Sequence, residues 1–372
     1  MAVAGVYKTP MRVIMMKRNV LAVVIPVLLA AGAANAAEVY NKDGNKLDIY
    51  GRMEGRHFFS EADDDNGDGT RARLGIRGET QINSELTGYG RFESEFSANS
   101  SESNNVKTRF AFAGLKFADF GSLDYGRNQG IGYEGISYTD VLPAFGGDHS
   151  YTDTLTGRKS GLLTYRNNGF FGLVDGLNFG LQAISKDSDD TSAGRSATDR
   201  KANGDGWGTS LSYDSDMGLG FIGSYATVKR TTGQNLTADG RGKKAETWAT
   251  GVKYDANNLY LAATYGEFRN LALDGGLPLD KTEIFEAVAQ YTFDFGLTPS
   301  LAYVQGKGKQ DNSGIDEYVN KYVSVAAYYD FNKNFQTYAE YKINLLDSDN
   351  AYVVSGDTHD DDVVAVGVKY QF

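Results

Sequence analysis

With 372 residues, no cysteine and a net charge of −11, the chain has no disulfide framework and no basic excess with which to hold nucleic acid. Its 24 Tyr, 20 Phe and 45 Gly, beside only 5 Pro, favour paired strands over helices. A mean hydropathy of −0.40 excludes a bundle of spanning helices but not a barrel, whose strands are apolar only on alternate residues.

Residues 1–36 read as a segment to be removed. Met16-Lys17-Arg18 is a basic start, Val20–Ala34 is the longest apolar run, and Ala34-Asn35-Ala36 supplies a small-residue cleavage site. The apolar run is too short to span a bilayer as a helix. Residues 1–15 then lie upstream of an ordinary secretory signal that begins at Met15 or Met16, as an overlong start would give. Lys8, Arg12, Lys17 and Arg18 fall within this segment and no acid does, so the mature part, 37–372, is more acidic than the whole. It is expected to form one domain.

The first predicted strand sets Leu47, Ile49 and Met53 against Asp48, Tyr50, Arg52, Glu54 and Arg56. Seven short turn signals follow, at 83–85, 119–121, 175–176, 214–218, 255–258, 294–296 and 330–334. Seven short turns join eight hairpins. They recur about every 40 residues, room for two strands of ~10 residues and one longer connection. The longer connections are polar: Asp63–Thr70, Lys186–Gly204, Thr231–Lys244, Lys307–Asn320 and Ser355–Asp362. Alternation returns near the end, with Ala339, Tyr341, Ile343 and Leu345 against Tyr338, Glu340, Lys342 and Asn344. The last strand sets Val364, Val366, Val368, Tyr370 and Phe372 against Ala365, Gly367, Lys369 and Gln371. A soluble sandwich alternates too; the signal segment and the aromatics near strand ends favour a membrane barrel. The expected fold is all-β, a 16-stranded antiparallel transmembrane β-barrel in a Gram-negative outer membrane.

One interval is too long for its hairpin, that between Gly121 and Asp175. It contains Tyr138–Ser150, YTDVLPAFGGDHS, where Pro143 fixes φ and Gly146-Gly147 permits positive φ. This third loop is expected to fold inward and narrow the mouth of the barrel.

Six stretches carry a resemblance to a known family. AEVYNKDGNKLDIYGR (37–52), ARLGIRGETQINSELTGYGR (72–91), TRFAFAGLKFADFGSLDYGRN (108–128), NNGFFGLVDGLNF (167–179), WATGVKYDANNLYLAATYGE (248–267) and the closing GVKYQF are similar to the enterobacterial general porins of the OmpF, OmpC and PhoE type. The likeness spans essentially the whole mature chain and wanders in the loops. It implies a homotrimeric diffusion porin that passes ions and small hydrophilic solutes, with no cofactor. Lipopolysaccharide and outer-membrane lipid would surround it, and its loops would be the surface open to phage and colicins.

By the same resemblance, a basic wall faces an acidic loop at the constriction. Matched motif by motif, the wall is Arg52 in LDIYGR, Arg73 in ARLG, Arg109 in KTRFAFAG and Arg158 in TGRKSG. Arg71 shares the face of Arg73, because residues i and i+2 of a strand point the same way. The loop residues are Asp140, Pro143, Ala144, Phe145, Gly146, Gly147 and Asp148. The family pattern PEFGGD here has Ala144 where the glutamate stands. Losing that carboxylate while gaining Arg71 is expected to weaken cation preference and widen the pore locally. Glu102, in SSESN, would reach across the trimer toward Lys107 or Arg127.

Catalysis and metal binding find little footing. Of three histidines, His57 is expected to face outward, and His149 and His359 to sit in loops. No serine lies in a nucleophile-elbow pattern and no H-E-x-x-H occurs. DDDNGDGT at 63–70, aligned on Gly67 as a calcium loop, would place Ala62 and Arg73 where acids are needed. HDDD at 359–362 reads as a hydrated loop. The alternatives to a channel are a barrel enzyme and a surface adhesin or receptor without an open pore.

Overall fold

A computed structural model describes residues 37–62, 65–99, 106–146, 153–187, 202–236, 242–270, 279–311, 313–354, 356 and 358–372. Sixteen strands follow one another around a ring: β1 (Asn45–Phe59), β2 (Arg71–Gln81), β3 (Leu86–Ser97), β4 (Val106–Phe117), β5 (Ser122–Gln129), β6 (Arg158–Asn167), β7 (Leu177–Ile184) and β8 (Gly206–Asp214) form the first half. β9 (Leu219–Lys229), β10 (Lys244–Ala256), β11 (Leu259–Arg269), β12 (Lys281–Tyr291), β13 (Leu297–Gln310), β14 (Ile315–Asn332), β15 (Phe335–Asn344) and β16 (Val363–Gln371) complete it. Each strand pairs antiparallel with the next, and β16 pairs with β1, Val368 opposite Gly55. Reciprocal backbone hydrogen bonds of 3.0 and 3.1 Å between Gly51 and Phe372 tie the last residue to the first strand. Closure leaves no ladder edge exposed to lipid, where an unpaired peptide group would cost several kcal/mol. A short arm, Ala37–Lys42, folds back on the start of β1.

The faces are inverted relative to a soluble protein. Outward residues are apolar and bare, among them Met53, Leu74, Phe92, Leu211, Phe221, Leu301 and Val368. Inward residues are polar and buried, among them Glu54, Glu93, Gln182, Ser224, Thr264, Gln290 and Glu340. Exposed leucine and phenylalanine beside buried glutamate is the pattern of a wall with lipid outside and polar contents inside. His57 is on the outer face, its ring 4.6 Å from that of Phe59.

All seven short turns fall where the sequence places them. One long connection does not. Lys307–Asn320 is paired strand for most of its length, with Lys307 opposite Tyr318, Lys309 opposite Asp316 and Gln310 opposite Ile315. Its polar residues alternate with Val319, Ile315 and Gly308, and Val319 packs beneath Leu279 and Tyr352. Polarity there reflects a hairpin extended past the rest of the barrel rather than a loop.

Candidate functional site

A charged network covers the inner faces of β1–β4. Glu54 accepts from Arg71 Nε at 2.7 Å, lies 3.5 Å from Arg52 Nη2, and takes the Tyr338 hydroxyl at 2.8 Å. Glu95 pairs with Arg73 and lies 3.4 Å from Arg109. Glu93 accepts from Arg109 at 2.6 Å, Arg91 at 2.7 Å and the Tyr50 hydroxyl at 2.9 Å. Each carboxylate therefore bridges two guanidiniums, a charge-assisted arrangement that fixes long side chains in place.

Local sequence explains this geometry. Arg71 and Arg73, Arg52 and Glu54, and Arg91, Glu93 and Glu95 stand at i, i+2 spacing and so share the inner face. Arg109 would alternate away from Phe110, but the register shifts at Glu93/Ser94, with Glu93 opposite Phe110 and Ser94 opposite Thr108. That bulge lets Arg109 and Phe110 both turn inward. Two glycines make room for the bracing tyrosines: a Cβ on Gly75 would stand 2.2 Å from the Tyr50 ring, and one on Gly367 would stand 2.4 Å from that of Tyr338. The Arg91 guanidinium also lies 4.0 Å over the Phe110 ring.

The sequence reading brings Arg52, Arg71, Arg73 and Arg109 together, as observed, but takes the row as positive charge. The structure adds carboxylates among these arginines while a positive excess remains. Five arginines, 52, 71, 73, 91 and 109, share the patch with three glutamates, and Arg71 brings its charge to a carboxylate already waiting at Glu54. Arg158 opens β6 opposite Gln129, apart from these contacts, and its charge acts on the Tyr133 hydroxyl.

The segment after β5 runs along the inner wall. Its first turns, Ile131–Thr139, are a 3-10 helix whose Ile131 N–H donates to Gln182 at 3.0 Å. Ser224 Oγ donates to the Gly132 carbonyl at 2.8 Å, and Tyr260 to the Tyr138 carbonyl at 2.6 Å. Thr139 reaches Thr264 at 2.9 Å and also bonds Glu286. Val141 and Leu142 pack on Tyr138, Ile222, Ala262, Val288 and Ala302. The backbone N–H groups of Ala144 and Phe145, just past Pro143, both donate to Glu340 on β15, at 2.7 and 3.1 Å. Tyr322 donates to the Phe145 carbonyl at 3.1 Å, and the Phe145 ring lies 5.9 Å from that of Phe58 on β1. The chain thus crosses from β7 to β15 and β1 inside the ring.

Asp140 accepts from the Tyr133 hydroxyl and lies against Gly146, so its carboxylate is engaged within the loop itself. Gly147, Asp148 and Glu102 lie outside the described residues, as does His149. The register sets Lys107 opposite Glu95, on the lumen side, whereas Arg127 shares the outer face with Tyr125 and donates to the Thr108 carbonyl at 2.7 Å. Sequence reasoning passed over Glu93, Glu95, Arg91 and Glu340 as site residues. The i, i+2 spacing in GRFESEF was the available signal for the first three; Glu340 depends on a contact 196 residues away.

Comparison with known proteins agrees with this architecture. The Gram-negative porin family profile matches residues 42–372. Outer membrane protein F of Serratia marcescens is 53% identical, over 96% of this chain and 100% of that protein. Outer membrane porin PhoE of Enterobacter cloacae is also 53% identical, with the same coverage. The solved structure of Salmonella typhi OmpF in complex with daunomycin superposes with a TM-score of 0.82 at 46% identity, covering 90% of this chain and 100% of that one. A closed polar-lined barrel with these relatives is an outer-membrane channel for passive diffusion of ions and small hydrophilic solutes, and the chain belongs to the Gram-negative porin family.

Proposed function

We propose that solutes crossing this channel are screened between the Arg–Glu wall of β1–β4 and the loop segment 140–146. The observation that carries this is the seating of the Ala144 and Phe145 N–H groups on Glu340, an inward residue of the far wall. A loop anchored at both ends of its crossing leaves a narrowed passage. Charges lining that passage in a low-dielectric wall act on permeant ions strongly. Ala144 removes one carboxylate from the loop tip, but Glu340 stands within hydrogen-bond reach of the same backbone.

The barrel is proposed to work as a homotrimer. Its outer face over β1–β4 carries Gly51, Gly55, Ala72, Gly78, Gly88, Gly90, Ala111 and Ala113, a flatter surface than the Tyr-, Trp- and Leu-rich face of β6–β14. Close approach of a second barrel suits the former and acyl chains the latter. A trimer that resists dodecyl sulfate until heated would support this, and a monomer under all conditions would not.

Reversal potential across a planar bilayer in a salt gradient tests the constriction, with Ala144→Glu beside the wild type. The expected result is a move toward cations in the variant. Conducting channels of unchanged selectivity would remove segment 140–146 from the screening site, and folded trimer without conductance would overturn the channel itself.

A further inference from the structure

We propose that Glu54 and Glu95 tune the ion preference of this channel, by offsetting half of the charge of the arginine row from within its own wall. The inference rests on the channel reading above and goes further in naming where selectivity is decided.

Glu54 stands between Arg52 and Arg71, and Glu95 between Arg73 and Arg109. All four arginines expected at the constriction on β1, β2 and β4 are therefore within 3.5 Å of one of these two carboxylates. Glu93 serves a different pair, Arg91 and Arg109, and is braced by Tyr50. The Glu54 side chain is 1% exposed against 24% for Arg52 and 21% for Arg71, so an ion in the lumen meets those arginine edges first with the carboxylate behind, whereas Glu95, at 15%, stands level with Arg109. Each carboxylate offsets one of the two guanidiniums it bridges, so each trio keeps one net positive charge instead of two. The wall thus offers hydrogen-bond donors to a passing anion with half the attraction that the bare arginines would exert. Neutralising one carboxylate adds one further positive charge at the lumen surface. For an ion about 6 Å away in water-like dielectric, that amounts to about a threefold change in local occupancy, of opposite sign for cations and anions.

Both carboxylates follow from the strand period: Glu54 shares the inner face with Arg52 and Arg56 on β1, and Glu95 with Glu93 on β3. Their inward aim is built into the register, with Glu54 opposite Arg71 and Glu95 opposite Arg73.

The test measures reversal potential at low salt for full-length trimers carrying Glu54→Gln, Glu95→Gln, Glu95→Asp, Arg71→Gln and the double change Glu54→Gln with Arg71→Gln. Heat-modifiable gel mobility is read first to establish folding. Each Gln variant is expected to lower the cation-to-anion permeability ratio about tenfold, about threefold from each ion, Arg71→Gln to raise it by a similar factor, and Glu95→Asp to hold it. The double variant, which deletes the pair, is expected to return to the wild-type ratio. If Glu54→Gln does not assemble, Glu95→Gln and Arg71→Gln decide the question. Conducting single variants that keep the wild-type ratio would overturn the proposal, as would a double variant that keeps the shift of the single. Wild-type trimer that folds but does not conduct would instead overturn the channel reading on which this one stands.

Discussion

The inner wall of this barrel has two unlike halves. On β1–β4 it is ionic, with each of three glutamates between two arginines. On β7–β12 it is largely neutral, where Gln182, Ser224, Thr264 and Gln290 meet the loop. The difference follows what covers each half. A segment folded away from bulk water must satisfy its own N–H and C=O groups, and neutral amides and hydroxyls do so at smaller desolvation cost than ions. Four charged features interrupt the seat: Glu286 and Glu340 accept hydrogen bonds from the loop, Lys253 pairs with Asp214 at 2.9 Å beneath the Tyr138 ring, and Arg166 pairs with Glu134 of the loop.

This division can be broken hardest at Ile131. It is fully buried with Leu155, Leu162, Ile184 and Ala226, at the point where the loop first meets the wall. Ile131→Asp would place an unpaired carboxylate among them, at a cost of about 3 kcal/mol or more. The loop should leave its seat, raising single-channel conductance and lowering the temperature at which the trimer dissociates in dodecyl sulfate. Unchanged conductance and unchanged dissociation would mean the neutral half is not what holds the loop.

A smaller effect is expected at the other end of the crossing. Glu340→Ala orphans the N–H groups of Ala144 and Phe145 together with the Ser324 hydroxyl, which donates to Glu340 at 2.5 Å. Stranding buried donors costs about 1–3 kcal/mol. Open-channel noise should rise, since only the loop tip is freed, and Glu340→Gln, which keeps an acceptor, should be quieter. Equal noise in both variants and the wild type would show that the tip is held by Phe145 and Tyr322 alone. Glu93→Gln addresses the opposite half. It removes the charge and one of the two oxygens that Arg91 and Arg109 share, so reversal potential should move toward anions while noise stays at the wild-type level. Noise in Glu93→Gln would mean the two halves are mechanically coupled.

How much of this was legible in the sequence depends on whether local spacing carries it. Strand count, turn positions and the outward aim of His57 follow from period-2 patterning and turn residues, which are local. So does the inward aim of Arg71 and Arg73. The partners of those arginines lie on neighbouring strands, Glu54 opposite Arg71 and Glu95 opposite Arg73, and pairing register is not written in either strand alone. Lys307–Asn320 reads as a loop from its polarity alone, but Lys307 and Lys309 on one side and Asp316 on the other suit an extended hairpin as well. Alternation puts Glu340 on the polar face of its strand, but no local pattern encodes its contact with Ala144 across the ring.

The mildest change distinguishes charge from orientation. Tyr338 donates to Glu54 Oε1 at 2.8 Å while its ring lies over Gly367. Tyr338→Phe keeps the ring and removes the hydroxyl, a loss of about 0.5–1.5 kcal/mol. Glu54 retains its charge and both arginines, so reversal potential should stay where it is while the trimer dissociates at a slightly lower temperature. A shift in reversal potential as large as that of Glu54→Gln would mean that the hydroxyl decides which way the carboxylate points. In that case the ionic half would owe its selectivity to how rigidly its charges are held rather than to their number. The bracing tyrosines, each laid across a glycine on the adjacent strand, would then belong to the selectivity apparatus as much as the glutamates do.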